Sequence, residues 1–404
     1  MAAGRNIAVI GAGVGGLSAA IALRTGGHNV TLFERFTTPQ PVGSGLMLQP
    51  TGLAALRRLG LHHDITERGA RIDRLQGVTD RGRTIFDLTY ADLDPNLHAV
   101  AVHRAALHAI LWDAFAGSGA RLETGRDIRE TAPCPDGRVA LIDTVGRFWG
   151  TFDLVVDASG ANSPLRAQVT NARARQFAYG AVWANVPDIG LAPRTLAQRY
   201  IGTHVMLGHL RIGRIRPGGP PLAALFWSLK PEEYDSWAAS FDGWREDVAR
   251  LWPEMTPILA GLTGPRDFTL AAYQHFTAPQ PQRGAVALIG DAAHATSPQL
   301  GQGANNAMLD ALALADAVSA HRDIGAALAE YARNRRRHVR FYQRASAVMT
   351  PFFQSDSRVA GGIRHATFHK MRHVPYLRRE MVRTLAGLKT GLFTHADAAT
   401  LAGG

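Results

Sequence analysis

At 404 residues, with 46% hydrophobic and 19% charged side chains, the chain has a globular composition and enough length for two domains whose cores need no crosslinks. Its single cysteine, Cys134, excludes an internal disulfide framework and a thiolate metal site, and between Pro133 and Pro135 it reads as a turn residue. The net charge of +11 rests on 41 arginines against three lysines and much of it sits in 333–344 and 364–380; such runs fit a nucleic-acid or anionic-membrane patch, but a solvated helix face is the preferred reading, so no nucleic acid is expected as a partner.

The opening residues lack the charged, apolar and cleavage regions of a secretory signal, and no stretch has the uncharged length of a membrane span. A cytoplasmic protein without an integral membrane segment is the expectation.

Residues 5–35 begin with the apolar run Ile7-Ala8-Val9-Ile10, a strand that feeds a run of glycines. Leu17, Ala20, Ile21 and Leu23 then give one apolar helix face that stops at Gly26-Gly27, before the strand Val30-Thr31-Leu32-Phe33. This βαβ order predicts a parallel sheet with a right-handed crossover. A helix is expected over 51–59, strands about the turn Asp80-Arg81-Gly82, and a helix over 103–117. Strands follow at 121–124, at 138–149 and at 153–157. From about 175 to 280, aromatic-bearing runs broken by Gly and Pro predict a mostly antiparallel sheet, with one helical insert near 231–252. A short strand at 285–289 and an alanine-rich helix over 303–320 precede a basic, helical tail.

The glycines between the first strand and helix read Gly11-Ala12-Gly13-Val14-Gly15-Gly16, a G-x-G-x-x-G. Such a turn lets backbone approach a pyrophosphate and presents helix N-terminal N–H groups to it. The acid that ends the second strand, Glu34, is placed for ribose hydroxyls, with Arg35 beside it. A dinucleotide cofactor is therefore expected, although this turn alone does not distinguish FAD from NAD(P).

The far end of the chain makes the choice. There a strand runs into Gly290-Asp291, and a loop passes Pro298 and Gly301-Gln302-Gly303 before Ala304-Asn305 opens the long helix. With these motifs at both ends, residues 5–330 resemble the class A flavoprotein monooxygenases, the para-hydroxybenzoate hydroxylase-like family. The resemblance implies non-covalent FAD, with Asp291 on a cofactor hydroxyl and Pro298, Gly301, Gly303, Ala304 and Asn305 bringing backbone N–H groups to the flavin pyrimidine ring. It further implies that Arg104, at the start of an Arg-x-x-Leu helix, reaches the cofactor. The segment from Gly45 and Leu46 to Gln49 would run beside the isoalloxazine, with Gln49 on the substrate side. Gln49 and Pro298 are the candidates nearest the chemistry, which the flavin itself carries.

The implied activity is hydroxylation of an aromatic or electron-rich small molecule with NAD(P)H and dioxygen, through a flavin C4a-hydroperoxide. The implied fold is α/β, a Rossmann-like FAD-binding domain (1–70, 98–175 and 281–330) interleaved with a mostly antiparallel substrate domain (71–97 and 176–280). A helical C-terminal extension covers 331–404. Tyr200, His204 and Phe226, with His209 and Trp227, are candidates to line the substrate pocket. One segment departs from the family: in Asp157-Ala158-Ser159-Gly160 the usual aspartate position holds Ser159, which puts nicotinamide delivery in question. Alternatives are a halogenase, a reductase or a non-turnover flavin protein on the same fold. The halogenase pattern is disfavoured, because Trp183-Ala184-Asn185-Val186-Pro187 carries only one tryptophan. The histidines at 365, 369 and 373 share a helix spacing but have no carboxylates among them, so no metal is expected.

Overall fold

The computed structural model describes residues 4–39, 43–371 and 373–403, so residues 1–3 and 40–42 of the expected FAD-binding segment 1–70 lie outside the described residues. A six-stranded sheet forms the first layer, in the order Gln282–Arg283, Val286–Leu288, Leu154–Asp157, Asn6–Ile10, Asn29–Glu34, Arg121–Thr124. All its pairings are parallel except that of the edge strand Gln282–Arg283. Helices cover both faces of such a sheet, which is why its central strands are continuous apolar runs. Register aligns their carboxyl ends: Ile10 pairs with both Asp157 and Phe33, and Asp157 pairs with Leu288. Loops leaving these ends form the crevice in which open α/β sheets bind ligands.

The second layer is a seven-stranded sheet, in the order Phe268–Ala271, Gly180–Pro187, Leu222–Leu229, Val205–Gly213, Thr195–Ile201, Arg74–Thr79, Thr84–Thr89. It is antiparallel except where Thr195–Ile201 meets Arg74–Thr79. Strands from the first quarter of the chain thus sit in a sheet built mainly from its middle. Strand alternation gives this sheet two apolar faces. Trp183, Leu210, Ile212 and Phe226 join one core with Tyr200, Phe353, Phe368 and Leu385, whereas Val182, Leu207 and Leu225 join another beneath Trp237, Trp244 and Val248 of the helical insert. Three short strands, Gly45–Leu48, Ala99–His103 and Ala70–Ile72, bridge the layers.

One expectation changes. The segment 138–149 is not one strand: Val139–Asp143 turns back into Phe148–Phe152. The Asp143 carboxylate accepts the N–H groups of Val145 and Arg147, and Gly146 supplies a left-handed residue at φ 79°. In addition, one helix, Ile324–Phe353, runs unbroken through 330–331, where the sequence reading divides the extension from the FAD-binding domain. Cys134 occupies the expected turn, its carbonyl accepting the Gly137 N–H at 3.0 Å.

Candidate functional site

The first glycine turn is shaped by close approach. Gly11 has φ 99°, and a Cβ there would stand 2.8 Å from the Ala158 carbonyl oxygen. A Cβ on Gly16 would stand 1.9 Å from the Gly11 oxygen, so only glycine lets the helix Val14–Thr25 start against the strand. Gly13 faces open space. The first hydrogen bond of that helix runs from Leu17 N to Gly13 O, which leaves the N–H groups of Val14, Gly15 and Gly16 outside the helical ladder. Glu34, largely buried, accepts the Ala12 N–H at 2.8 Å on one oxygen and the Phe36 N–H at 3.0 Å on the other. Arg35 is exposed and lies over the Phe36 ring at 4.6 Å.

The second turn converges on the first. A Cβ on Gly15 would lie 3.3 Å from Ala307 Cβ, and one on Gly290 would lie 3.0 Å from the same atom. The two helix N-termini and the Gly290-Asp291 turn therefore share one edge of the parallel sheet. The Asp291 side chain is open to this cleft and makes no hydrogen bond among the described residues. The enclosing protein pushes its carboxyl pKa up, against the opposing pull of His294, Arg104 and Arg166. Arg104 packs over Gly43 and likewise has no hydrogen bond or ion pair among the described residues.

The loop from Ser297 to Gly303 is held from four directions. Ser297 shares hydrogen bonds with Ser346 and Thr350, Gln299 donates to Gln354, and Gln302 donates to the Leu385 carbonyl. Asn305, fully buried, donates to Met47 O and Gly301 O and accepts from Gln49 N. Its side chain is thus committed to shaping the loop. Pro298 opens a short 3-10 turn that ends at Gly301, a left-handed residue at φ 59°. The helix Gly303–Ala320 makes its first backbone bond from Asn306 N to Gln302 O, so the N–H groups of Gly303, Ala304 and Asn305 are free of the helix ladder.

Gln49 lies against the glycine loop, its Nε2 3.7 Å from where a Cβ on Gly301 would stand, while Gly45 and Leu46 are set by packing. Gln49 is fully buried; its Oε1 accepts the Tyr90 hydroxyl at 2.5 Å, and its Nε2 has no partner. Gly45 is a packing glycine, since a Cβ there would stand 2.2 Å from Ile212. Leu46 packs on the core of the parallel sheet.

The departing segment has its own arrangement. Asp157, fully buried at its strand end, accepts the Ser159 N–H at 3.0 Å and the Ser159 hydroxyl at 2.5 Å on one oxygen. Its other oxygen accepts the Ser163 hydroxyl. Burial raises the Asp157 pKa, countered by these hydroxyls and by Arg166. Arg166, stacked 4.0 Å from the Phe276 ring, donates to Ala292 O, Asp291 O and Gly160 O. A carboxylate two residues before the usual position therefore braces the loop.

Of the pocket candidates, Phe226 and Tyr200 share the face of the seven-stranded sheet that carries Trp183, and Phe226 is the one that meets it. It packs 4.6 Å from Trp183, whose indole N–H donates to the Tyr273 hydroxyl at 3.0 Å. Tyr273 in turn lies within the field of Arg104. Sequence reading named neither Trp183 nor Tyr273 among the pocket candidates. Tyr200 is a core residue packed on Phe86 and Phe353. His204 lines a separate cleft of about 420 Å³ with Tyr179, Trp227 and Asp356. His209 is buried beside Trp252 with both ring nitrogens unpartnered, and burial lowers its pKa to about 4.

A buried ionic network, also unforeseen, lies behind the loop. Asp310 accepts His294 Nε2 at 2.5 Å, Gly290 N at 2.9 Å and Arg335 Nε at 2.7 Å. Burial pulls the His294 pKa down, but Asp310 outweighs it and the net shift is upward. Asp310 is held well below the usual carboxylate range, because His294 and Arg335 overcome its burial. Arg335 also donates to Asn306 Oδ1, and His338 hydrogen-bonds to the Gly387 carbonyl at 2.7 Å. The His and Asp of this network stand sixteen residues apart, the first on the short turn after Gly290 and the second on the long helix.

The FAD binding domain family matches residues 5–346. The 3-amino-4-hydroxybenzoate 2-monooxygenase of Streptomyces cremeus is 31% identical over 332 residues, covering 78% of this chain and 79% of that protein. The aurachin C monooxygenase/isomerase of Stigmatella aurantiaca is 27% identical over 350 residues, covering 82% and 85%. Among solved structures, Klebsiella pneumoniae HpxO complexed with FAD and uric acid superposes with a TM-score of 0.78 at 23% identity, covering 94% of this chain and 97% of that one.

Proposed function

The chain belongs to the FAD binding domain family and is an FAD-dependent monooxygenase; from that premise we propose which of its residues hold the cofactor and what class of substrate it takes. The observation that carries the reading is the convergence of two helix N-termini and the Gly290-Asp291 turn around Ala307. The residues present suit the dinucleotide. Open space at Gly13 and the N–H groups of Val14, Gly15 and Gly16 suit a pyrophosphate, and Glu34 suits the adenosine ribose. The Asp291 carboxylate, without a hydrogen bond among the described residues, is an acceptor for a cofactor hydroxyl, and Arg104 supplies a positive charge within its field. The N–H groups of Gly303, Ala304 and Asn305 suit the electron-rich pyrimidine edge, where a helix N-terminus favours negative charge.

The bound flavin supplies the oxygen activation; the chain's part is to position and to exclude water. Phe226, Trp183 and Tyr273 form an aromatic wall suited to a flat, electron-rich ring, and the Trp183–Tyr273 hydrogen bond fixes its orientation. NAD(P)H and dioxygen are the co-substrates of this reading, and a cytoplasmic setting supplies both. Residues 1–70, 98–175 and 281–330 would serve the cofactor, and 71–97 with 176–280 the substrate. In the named relatives the substrates are an aminohydroxybenzoate and an aurachin, so phenols, anilines and quinolones are the classes to offer.

The test is a screen of such compounds for stimulated NAD(P)H oxidation, with product mass read in parallel. The expected result is a yellow protein that releases FAD on denaturation and a product heavier by one oxygen. NAD(P)H consumption that yields only peroxide with every ring offered would overturn the substrate class.

A further inference from the structure

The C-terminal region presents a face that neither cofactor nor substrate uses. The helix Ile324–Phe353 buries Leu328, Tyr331, Arg335, His338, Tyr342 and Ser346. Its opposite side exposes Arg336, Arg337, Arg340 and Arg344, and none of the four has a hydrogen bond, ion pair or ring contact among the described residues. Helical spacing sets Arg337, Phe341, Arg344 and Val348 in one line, and Val348 is itself exposed.

A short turn leans on that line. Its base, Lys389, donates its N–H to the Tyr342 hydroxyl at 3.2 Å and sets its ammonium 5.9 Å from the Phe341 ring. Thr390 N to Thr394 O and the Lys389–His395 bridge close the turn. At its tip Leu392 is 72% exposed and Phe393 79% exposed, although the Lys389 ammonium holds the Leu392 carbonyl in place at 2.7 Å. The nearby acid, Glu380, is already tied to Lys389 and Arg383. A fixed turn that offers a leucine and a phenylalanine to water beside four unpaired guanidinium groups is a surface lacking its partner.

We propose that this face docks on an anionic lipid bilayer, with the arginines at headgroup phosphates and Leu392 and Phe393 inserted among the acyl chains. The charge pattern selects this occupant. A nucleic acid offers phosphates but no apolar place for the tip, and a second copy related by a two-fold would set unpaired arginines against each other. Association is peripheral, since among the described residues no helix is long and apolar enough to cross a membrane. Two weak signals together give stable anchoring where either alone is marginal. The turn begins four residues after Leu385, whose carbonyl holds Gln302 beside the glycine loop, so docking sets the cofactor cleft close to the lipid surface.

The test uses the full-length, FAD-loaded protein sedimented with vesicles rich in phosphatidylglycerol and with vesicles of phosphatidylcholine alone. Binding to the anionic vesicles, reversed by salt, is expected, with little to the neutral ones. At about fivefold per arginine near such a surface, Arg337→Gln with Arg344→Gln weakens partitioning roughly 25-fold. Leu392→Ser with Phe393→Ser weakens it by more than about tenfold. Retained FAD and an unchanged circular dichroism spectrum show that both variants are folded. Equal binding to the two vesicle types, or vesicle binding unchanged in either double variant, overturns the proposal. So does binding of duplex DNA without vesicle binding, or a dimer that Leu392→Ser with Phe393→Ser dissociates without vesicle binding.

Discussion

Asp291 and Arg104 are exposed opposite charges, each without a hydrogen bond or ion pair among the described residues, so both remain available to a polar ligand. Asp291→Ala is expected to weaken FAD binding by about 1.5–3 kcal/mol, a charged hydrogen bond to a cofactor hydroxyl being lost. Asp291→Asn should retain part of it. Flavin fluorescence titration measures this, and equal affinity in Asp291→Ala and wild type would remove Asp291 from the site. Gln49→Ala, whose side chain meets Tyr90 inside the protein, should shift stability more than cofactor affinity. Asp157 carries a second prediction. Because it already accepts two bonds from Ser159, a Ser159→Asp change sets a second, half-buried carboxylate against the buried one, which costs on the order of 3 kcal/mol if both stay charged. Asp157→Gly combined with Ser159→Asp should recover most of the lost thermal stability; recovery no better than in Ser159→Asp alone would mean that the braced loop does not depend on where its carboxylate sits. At this scale the places of Glu34 at the end of its strand and of Asp291 just past another were legible, because they follow from a few neighbouring residues. Trp183 and Tyr273 were not, since they meet across 90 residues of chain and only strand pairing brings them together.

The glycine loop depends on elements that its own sequence does not contain. Ser346, Thr350, Gln354 and Leu385 tether it from the C-terminal helices, and Asp310 joins the Gly290 turn to Arg335. Removing one member of a buried charge network leaves its partner uncompensated, so Arg335→Met should cost about 3–5 kcal/mol in chemical denaturation. Less than about 1 kcal/mol would mean that water already reaches the network. The network also sets a pH dependence. The folded pKa of His294 is raised above its ordinary 6.5, so its stabilisation is complete below that value and is lost as pH rises through the folded pKa. Asp310 is shifted down, so its contribution is present above the ordinary carboxylate range and is lost only as pH falls through its lowered pKa. The melting-temperature gap between wild type and His294→Gln should therefore be widest below about pH 6.5 and shrink in alkali; a gap that grows with pH contradicts a protonated His294. The helix Gly303–Ala320 was legible from its glycine start and unbroken apolar run. The hairpin at 139–152 was read as one strand because its turn, Thr144-Val145-Gly146-Arg147, carries one glycine and a valine, a weak stop signal until Asp143 is seen capping it.

At the scale of the molecule, periodicity separated a parallel from an antiparallel part but said little about what covers each face. The tail read as a basic extension, whereas the structure makes it the cover of a core. Phe368, Val382, Leu385 and Leu388 close the face of the seven-stranded sheet that carries Tyr200 and Phe86. Arg364, fully buried, donates to Phe352 O and Gly202 O and lies 5.2 Å from the Tyr200 ring. Heptad-free, arginine-rich helices conceal such a role, because their few buried side chains are spread among exposed cations. The consequence can be tested by ending the chain at residue 357. Burying those four apolar side chains is worth roughly 6–12 kcal/mol, comparable with the roughly 5–15 kcal/mol that holds a whole domain together. The cut also strips the Leu385 carbonyl from Gln302 and exposes Tyr200 and Phe353 to water. The shortened protein should therefore be insoluble or lack bound FAD, and supplying residues 358–404 as a separate peptide should restore little, since the peptide must pay its own ordering entropy. A soluble, yellow protein ending at 357 with the full-length melting temperature would show that the tail is an appendage and that the core closes without it.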